Sequence, residues 1–170
     1  MPAVRALLLT GVVVAAVVLQ VAVFSLLSFD GVVPDLALVV VVAAALVRGP
    51  EVAATIGFAA GLAVDLAPPA DHVAGRWALA LVVVGYLAGR VRHDAGTSAL
   101  GAVVTVAACS FVGTSVYALS GMLLHDPAIP VEQALRVIPV SVLYDVLVTP
   151  FLLPPLMRLF RRVAPHQVAY

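Results

Sequence analysis

The sequence predicts an all-α fold, a polytopic membrane bundle of six transmembrane helices. The prediction rests on the composition, on six apolar segments and on the placement of the arginines. Of the 170 residues, 64% are hydrophobic and 11% are charged, and the mean hydropathy is +1.17. A soluble protein of this length needs a polar surface around its core, and so few charges cannot provide one. Lipid must therefore be the surrounding solvent.

Six apolar segments divide the chain, each bounded by a charge, by Gly and Pro residues, or by both. They cover residues 6–27, 32–47, 50–66, 77–91, 97–124 and 137–160. Each is expected to form a helix, because a helix satisfies its backbone polar groups internally, as lipid requires. No internal repeat or linker is found in the sequence, so residues 1–170 are expected to form a single integral membrane domain.

The first segment follows Arg5 and runs from Ala6 to Phe29 without a charge. This run exceeds the ~7–15 residues of a signal-peptide core, so we expect a retained span. The fourth segment opens at Trp77, a residue type enriched at membrane interfaces. The fifth is a long uncharged run.

The second and third segments meet at a short turn, Arg48-Gly49-Pro50-Glu51. Each reaches roughly 24 Å at ~1.5 Å per residue, less than the ~30 Å of a hydrocarbon core. A re-entrant hairpin would place Arg48 and Glu51 at mid-membrane, so a full crossing with local thinning of the bilayer is favoured. Tilted or partly re-entrant segments stay as alternatives.

The sixth segment contains four prolines and is expected to be broken by them, because proline removes a backbone donor and clashes with the preceding turn. They are Pro139, Pro150, Pro154 and Pro155.

The arginines predict the orientation of the bundle. If all six segments cross, one side collects Arg5, Arg48, Arg90, Arg92, Arg158, Arg161 and Arg162, and the other has Arg76 and Arg136. An excess of positive charge in short loops marks the cytoplasmic side. Both termini are therefore predicted to be cytoplasmic.

The third segment has a face of small residues that ends in a carboxylate. Ala53, Gly57, Gly61 and Asp65 are spaced four apart, so they share one side of a helix. A GxxxG pair lets another helix backbone approach closely. Packing within the bundle is the favoured interpretation, with docking of a partner's helix as the alternative. A second GxxxG follows in segment four.

Asp65 lies near the outer end of its helix under this topology. An intramembrane carboxylate usually has a polar or charged partner. The short connection to segment four predicts that Asp65 comes within reach of Arg76 or His72.

A second intramembrane polar stripe lies in segment six. Ser141, Asp145 and Thr149 are spaced four apart, just before Pro150. Such a kinked helix with a carboxylate could coordinate an ion or proton in a transporter. An interhelical hydrogen bond with a packing kink is the favoured alternative.

The sequence contains no pattern that indicates catalysis, a cofactor or a metal. The four histidines are scattered over loops and the tail without ligand spacing. No nucleophile motif, phosphate-binding loop or dinucleotide fingerprint is present. The single cysteine, Cys109, lies in an apolar run, and no basic arm suggests nucleic-acid binding.

Three stretches of the first half resemble the rod shape-determining protein MreD family. They are Pro34-Asp35-Leu36, the stretch from Gly57-Phe58 through Gly61 to Asp65, and Gly85-Tyr86-Leu87-Ala88-Gly89. The resemblance covers about residues 34–89. It implies a multi-pass protein of the bacterial cytoplasmic membrane, with a bundle similar to the substrate-binding subunits of energy-coupling factor transporters.

The resemblance also implies a place in the cell-elongation machinery. Members of this family bind the single-span protein MreC, and through it join MreB, the glycosyltransferase RodA and a penicillin-binding transpeptidase in lateral peptidoglycan synthesis. We therefore expect a non-enzymatic protein whose small-residue face receives the MreC segment. The motif residues carried over for partner binding or structure are Pro34, Asp35, Gly57, Phe58, Gly61 and Asp65.

Two other functions stay as alternatives. The first is a membrane subunit that captures a vitamin-type small molecule, with Asp65 and Asp145 in an outward-facing cavity. The second is an ion or proton pathway, which needs both carboxylates to face a continuous wet channel.

Overall fold

The computed structural model describes residues 2–22, 32–68, 73–95, 98–124 and 131–163, without the side chains of residues 2–6, 131 and 133. Within these ranges the chain forms helices and no β-strand, which confirms the all-α prediction. The helices are α1 (Pro2–Ala22), α2 (Leu36–Arg48), α3 (Pro50–Asp65), α4 (Arg76–Arg90), α5 (Arg92–Ala95), α6 (Ala99–Leu123) and α7 (Val131–Val163).

Six of these helices correspond to the six apolar segments, and the one-turn helix α5 is an addition. The predicted end of segment one, residues 23–27, lies outside the described residues. Two helical stretches have the length and apolar character of membrane spans, Ala99–Leu123 and Ala134–Val163, while Leu7–Ala22 and Leu36–Arg48 are shorter apolar helices.

Helix α2 lies at the centre of the bundle, in contact with α1, α3, α4, α6 and α7. Every residue from Leu36 to Leu46 is at most 7% exposed. The sequence explains this position, because these residues are all Ala, Val or Leu and a helix that is apolar on every side is buried. Gly49, with a φ of 88°, ends α2 and lets α3 start at Pro50.

Helices α3 and α4 pack closely along the small-residue face of α3. A Cβ atom at Gly57 would overlap the backbone carbonyl of Leu81, and one at Gly61 would overlap the backbone of Ala78. The side of α3 that carries the GxxxG pair is therefore covered by α4.

The second GxxxG pair makes the reciprocal contact. A Cβ atom at Gly85 would overlap the backbone of Ala53, and one at Gly89 would overlap the backbone of Pro50. The two motifs thus face each other across one interface, and both backbones approach more closely than any side chain permits.

Helix α7 differs from its prediction. It continues for 33 residues through all four prolines, where segment six was expected to be broken. Each proline removes only one backbone donor, and the neighbouring hydrogen bonds of a long apolar helix persist because lipid offers no alternative partner.

Candidate functional site

Asp65 holds the start of α4 from the end of α3. Its Oδ2 accepts hydrogen bonds from the backbone N–H groups of Gly75 and Ala78, at 2.9 and 3.1 Å, and its Oδ1 accepts one from Trp77 at 3.1 Å. The side chain is 1% exposed. The first N–H groups of a helix have no partner within the helix and carry the positive end of its dipole, so a carboxylate stabilises them.

The region beside this carboxylate contains a buried arginine. Asp65 binds the amides on both sides of Arg76, in the hairpin where the sequence predicted these two residues to approach; His72 lies outside the described residues. The Arg76 guanidinium donates to the carbonyl of Tyr117 at 2.9 Å and lies 4.0 Å from the centre of its ring. Trp77 stacks on the same ring at 4.6 Å, which joins α4 to α6.

Asp145 connects three helices. Its Oδ2 accepts a hydrogen bond of 2.6 Å from the Ser110 hydroxyl on α6, and its Oδ1 accepts one of 2.7 Å from the backbone N–H of Asp35, just before α2. The Thr149 hydroxyl donates to the backbone carbonyl of Asp145 at 2.6 Å. Asp145 and Thr149 are each 1% exposed, so this polar contact is inside the bundle.

Three side chains satisfy the buried start of α2. Besides Asp145, Asp35 accepts from the Leu38 N–H through Oδ1 at 2.9 Å, and Gln20 of α1 accepts from the Ala37 N–H at 3.1 Å. The Oδ2 atom of Asp35 is buried and has no hydrogen-bond partner among the described residues. The central helix therefore begins inside the protein on acceptors from α1, α7 and its own cap.

The remaining predicted residues have different positions. Pro34 is buried ahead of Asp35, and Ser141 is half-buried outside the hydrogen bonds described above. Phe58 is 53% exposed on α3, next to the buried Gly57. Among the six motif residues it is the one that reaches the surface.

Ser110 and Gln20 were missed at the level of sequence. Gln20 carries a detectable signal, because it is the single amide side chain in the first apolar segment and such a group requires a partner in lipid. Ser110 carries none, since serine occurs at several other apolar positions of the chain.

Two cavities border the second half of α7. One, of about 290 Å³, is formed by apolar residues of α1, α2 and α7. The other, of about 420 Å³, lies between the start of α6 and the second half of α7. The second includes charged side chains, Arg158 and Arg161.

The fold and the site define an all-α membrane protein in which buried carboxylates hold the starts of other helices inside the bundle. The model of the family described as rod shape-determining protein MreD matches residues 3–163, and the chain belongs to this family. The match confirms the resemblance and extends well beyond residues 34–89. No curated protein and no solved structure matches the chain significantly. Membership assigns the chain a role in rod shape determination.

Proposed function

We propose that this protein is a non-enzymatic component of the bacterial cell-elongation complex that binds MreC. Through MreC it joins MreB, RodA and a penicillin-binding transpeptidase in lateral peptidoglycan synthesis. The observation that carries this proposal is the family match over residues 3–163. The geometry supports a scaffold, because Asp65 and Asp145 bind backbone amides and a hydroxyl of the protein itself.

We also propose that α1, α2, α3, α4, α6 and α7 each cross the cytoplasmic membrane, with both termini on the cytoplasmic side. The support is the distribution of arginines, seven on one side and two on the other. The short helices α2 and α3 fit this topology at the cost of local thinning of the bilayer.

The small-residue face of α3, expected to receive MreC, is not accessible to a partner. The small-residue face of α3 is occupied by α4, so a guest helix cannot pack against Gly57 and Gly61 without displacing α4. The exposed stripe of α3 is the better candidate, since it carries Thr55 and Phe58 and is followed directly by the exposed Leu66. A half-exposed aromatic side chain offers a large contact area to a partner helix.

The transporter alternative receives less support from the site. It requires Asp65 and Asp145 to line an outward-facing cavity, whereas both side chains are 1% exposed and bind other parts of the chain. A captured ligand would have to displace these hydrogen bonds.

Co-purification with MreC tests the proposal. Phe58→Ala is expected to lower the recovery of MreC several-fold, while Phe111→Ala, a matched change of a phenylalanine that is 56% exposed on α6, leaves it unchanged. Equal recovery with both variants would remove the α3 stripe from the interface. No recovery with the unaltered protein would overturn MreC binding and favour the transporter.

A further inference from the structure

The groove between the start of α6 and the second half of α7 has one apolar wall and one charged end. Its volume is about 420 Å³, within the range of small-molecule sites. The wall includes Ala102, Val103, Leu153 and Pro154, and the end carries Arg158 and Arg161. These walls belong to the two helices with the length and apolar character of membrane spans.

The charged end attracts anions for two separate reasons. Arg158 and Arg161 are three residues apart on α7, so their side chains share a face, and no carboxylate of the described residues forms an ion pair with either. Helix α6 begins beside them, at Ala99, and its cap Ser98 also lines the groove. The positive end of the α6 dipole therefore adds to the two guanidinium charges.

We infer that this groove binds one anionic phospholipid. The phosphate lies between Arg158, Arg161 and the start of α6, and an acyl chain follows the apolar wall toward Pro150. Guanidinium groups bind phosphate through paired N–H donors, and the cytoplasmic leaflet, where the arginine distribution places this end, supplies anionic lipid. A free phosphate would satisfy the arginines but leave the apolar wall uncovered. The inference is independent of MreC binding.

The full-length protein in an uncharged detergent provides the test, with bound lipid counted by native mass spectrometry during titration. Phosphatidylglycerol is expected to saturate one site, and phosphatidylcholine and sodium phosphate are expected to leave it empty. Arg161→Gln should weaken phosphatidylglycerol binding about 5-fold, since a basic residue near anionic lipid contributes ~1 kcal/mol. Arg158→Gln combined with Arg161→Gln should weaken it about 30-fold.

Arg162→Gln is the matched control, because it removes one arginine from the same helix end but from a residue that does not line the groove. Equal weakening by Arg161→Gln and Arg162→Gln would overturn the site and leave only general surface attraction. Equal binding of phosphatidylcholine and phosphatidylglycerol would overturn the role of the arginines.

A second pair of variants tests whether the lipid occupies the groove, without removing charge. Ala99→Trp is expected to obstruct the groove and reduce phosphatidylglycerol binding at least 10-fold, whereas Leu100→Trp, at a neighbouring position that is 74% exposed, leaves it unchanged. Both residues are exposed, so the fold tolerates either change. Unchanged binding with Ala99→Trp, or binding of sodium phosphate with the affinity of the lipid, would overturn the assignment to this groove.

Discussion

The backbone N–H of Asp35 donates a hydrogen bond of 2.7 Å to the carboxylate of Asp145, across 110 positions of sequence. This contact joins the start of the central helix α2 to the middle of α7. The same carboxylate also accepts from Ser110 of α6, so one side chain connects three helices inside the bundle. Asp145 thus has a structural role similar to that of Asp65, because each carboxylate accepts hydrogen bonds from the start of another helix.

Asp145→Leu is expected to destabilise the protein by about 3 kcal/mol, because it leaves the Asp35 N–H and the Ser110 hydroxyl buried without an acceptor, at ~1–3 kcal/mol for each group. Asp145→Asn keeps one acceptor and should lose roughly half as much. The free energy of unfolding in mixed micelles measures both. Ser141→Ala is the control, since Ser141 is a half-buried residue on the same helix, and it should change the free energy of unfolding by no more than about 0.5 kcal/mol. A loss no larger for Asp145→Leu than for the control would contradict the role of Asp145.

Ser110 and Asp145 are expected to be energetically coupled. A double-mutant cycle with Ser110→Ala and Asp145→Leu, neither of which leaves the Ser110–Asp145 hydrogen bond in place, should give a coupling of about 1–2 kcal/mol, the upper part of the range for interhelical hydrogen bonds in membranes. The same cycle between Ser110 and Ser141 should give a value near zero. Equal coupling in the two cycles would show that the 2.6 Å contact contributes nothing specific.

Asp65→Ala is expected to lower the free energy of unfolding by about 2 kcal/mol, because three N–H groups at the start of α4 lose their acceptor. Asp65→Asn retains an oxygen acceptor and should recover part of this loss. Ser98→Ala removes the exposed cap of α6 and is expected to lower the free energy of unfolding by ~1 kcal/mol or less. Comparing the two variants therefore shows how much more a buried cap stabilises the protein than an exposed one. If Asp65→Ala is as mild as Ser98→Ala, the buried cap does not stabilise α4 in this way.

Gly61→Ala is expected to destabilise the protein by roughly 1–3 kcal/mol, because the added methyl group overlaps the backbone of Ala78 and forces α3 and α4 apart. Gly11→Ala is the matched control, since a Cβ there meets nothing within 4 Å, and it should stabilise helix α1 by about 0.5–1 kcal/mol. Thermal unfolding in detergent distinguishes the two signs. A stabilising Gly61→Ala would mean that the α3–α4 interface is not closely packed.

The proposed topology is tested by cysteine labelling in a variant whose Cys109 is replaced by alanine. Val73→Cys, 51% exposed on the predicted outer side, is expected to react with a membrane-impermeant thiol reagent in intact spheroplasts. His93→Cys, exposed on the predicted cytoplasmic side, should react only after the membrane is opened. The opposite pattern would reverse the orientation derived from the arginines.

Much of the fold was predictable because the length of an apolar segment is a local property. The bounds of α3 and α4 match the predicted segments to within one residue, since Pro50, Asp65, Arg76 and Arg90 mark their ends. The side of α3 that approaches another helix was also predictable, because four-residue spacing gathers its small residues on one face. The prediction for α7 was wrong because it applied the behaviour of proline in soluble helices. In lipid no water competes for the backbone groups next to a proline, so the helix continues.

The sequence by itself determined that this protein is helical, membrane-embedded and held together along glycine-lined surfaces, since composition and periodicity report burial and spacing directly. Only the tertiary structure decided that α4, and no guest helix, covers the face of Gly57 and Gly61, and that Asp145 meets Asp35. The reason is physical. The local sequence around a buried carboxylate indicates that the carboxylate needs hydrogen-bond partners. It does not indicate which distant helix supplies them, because that depends on how the helices pack.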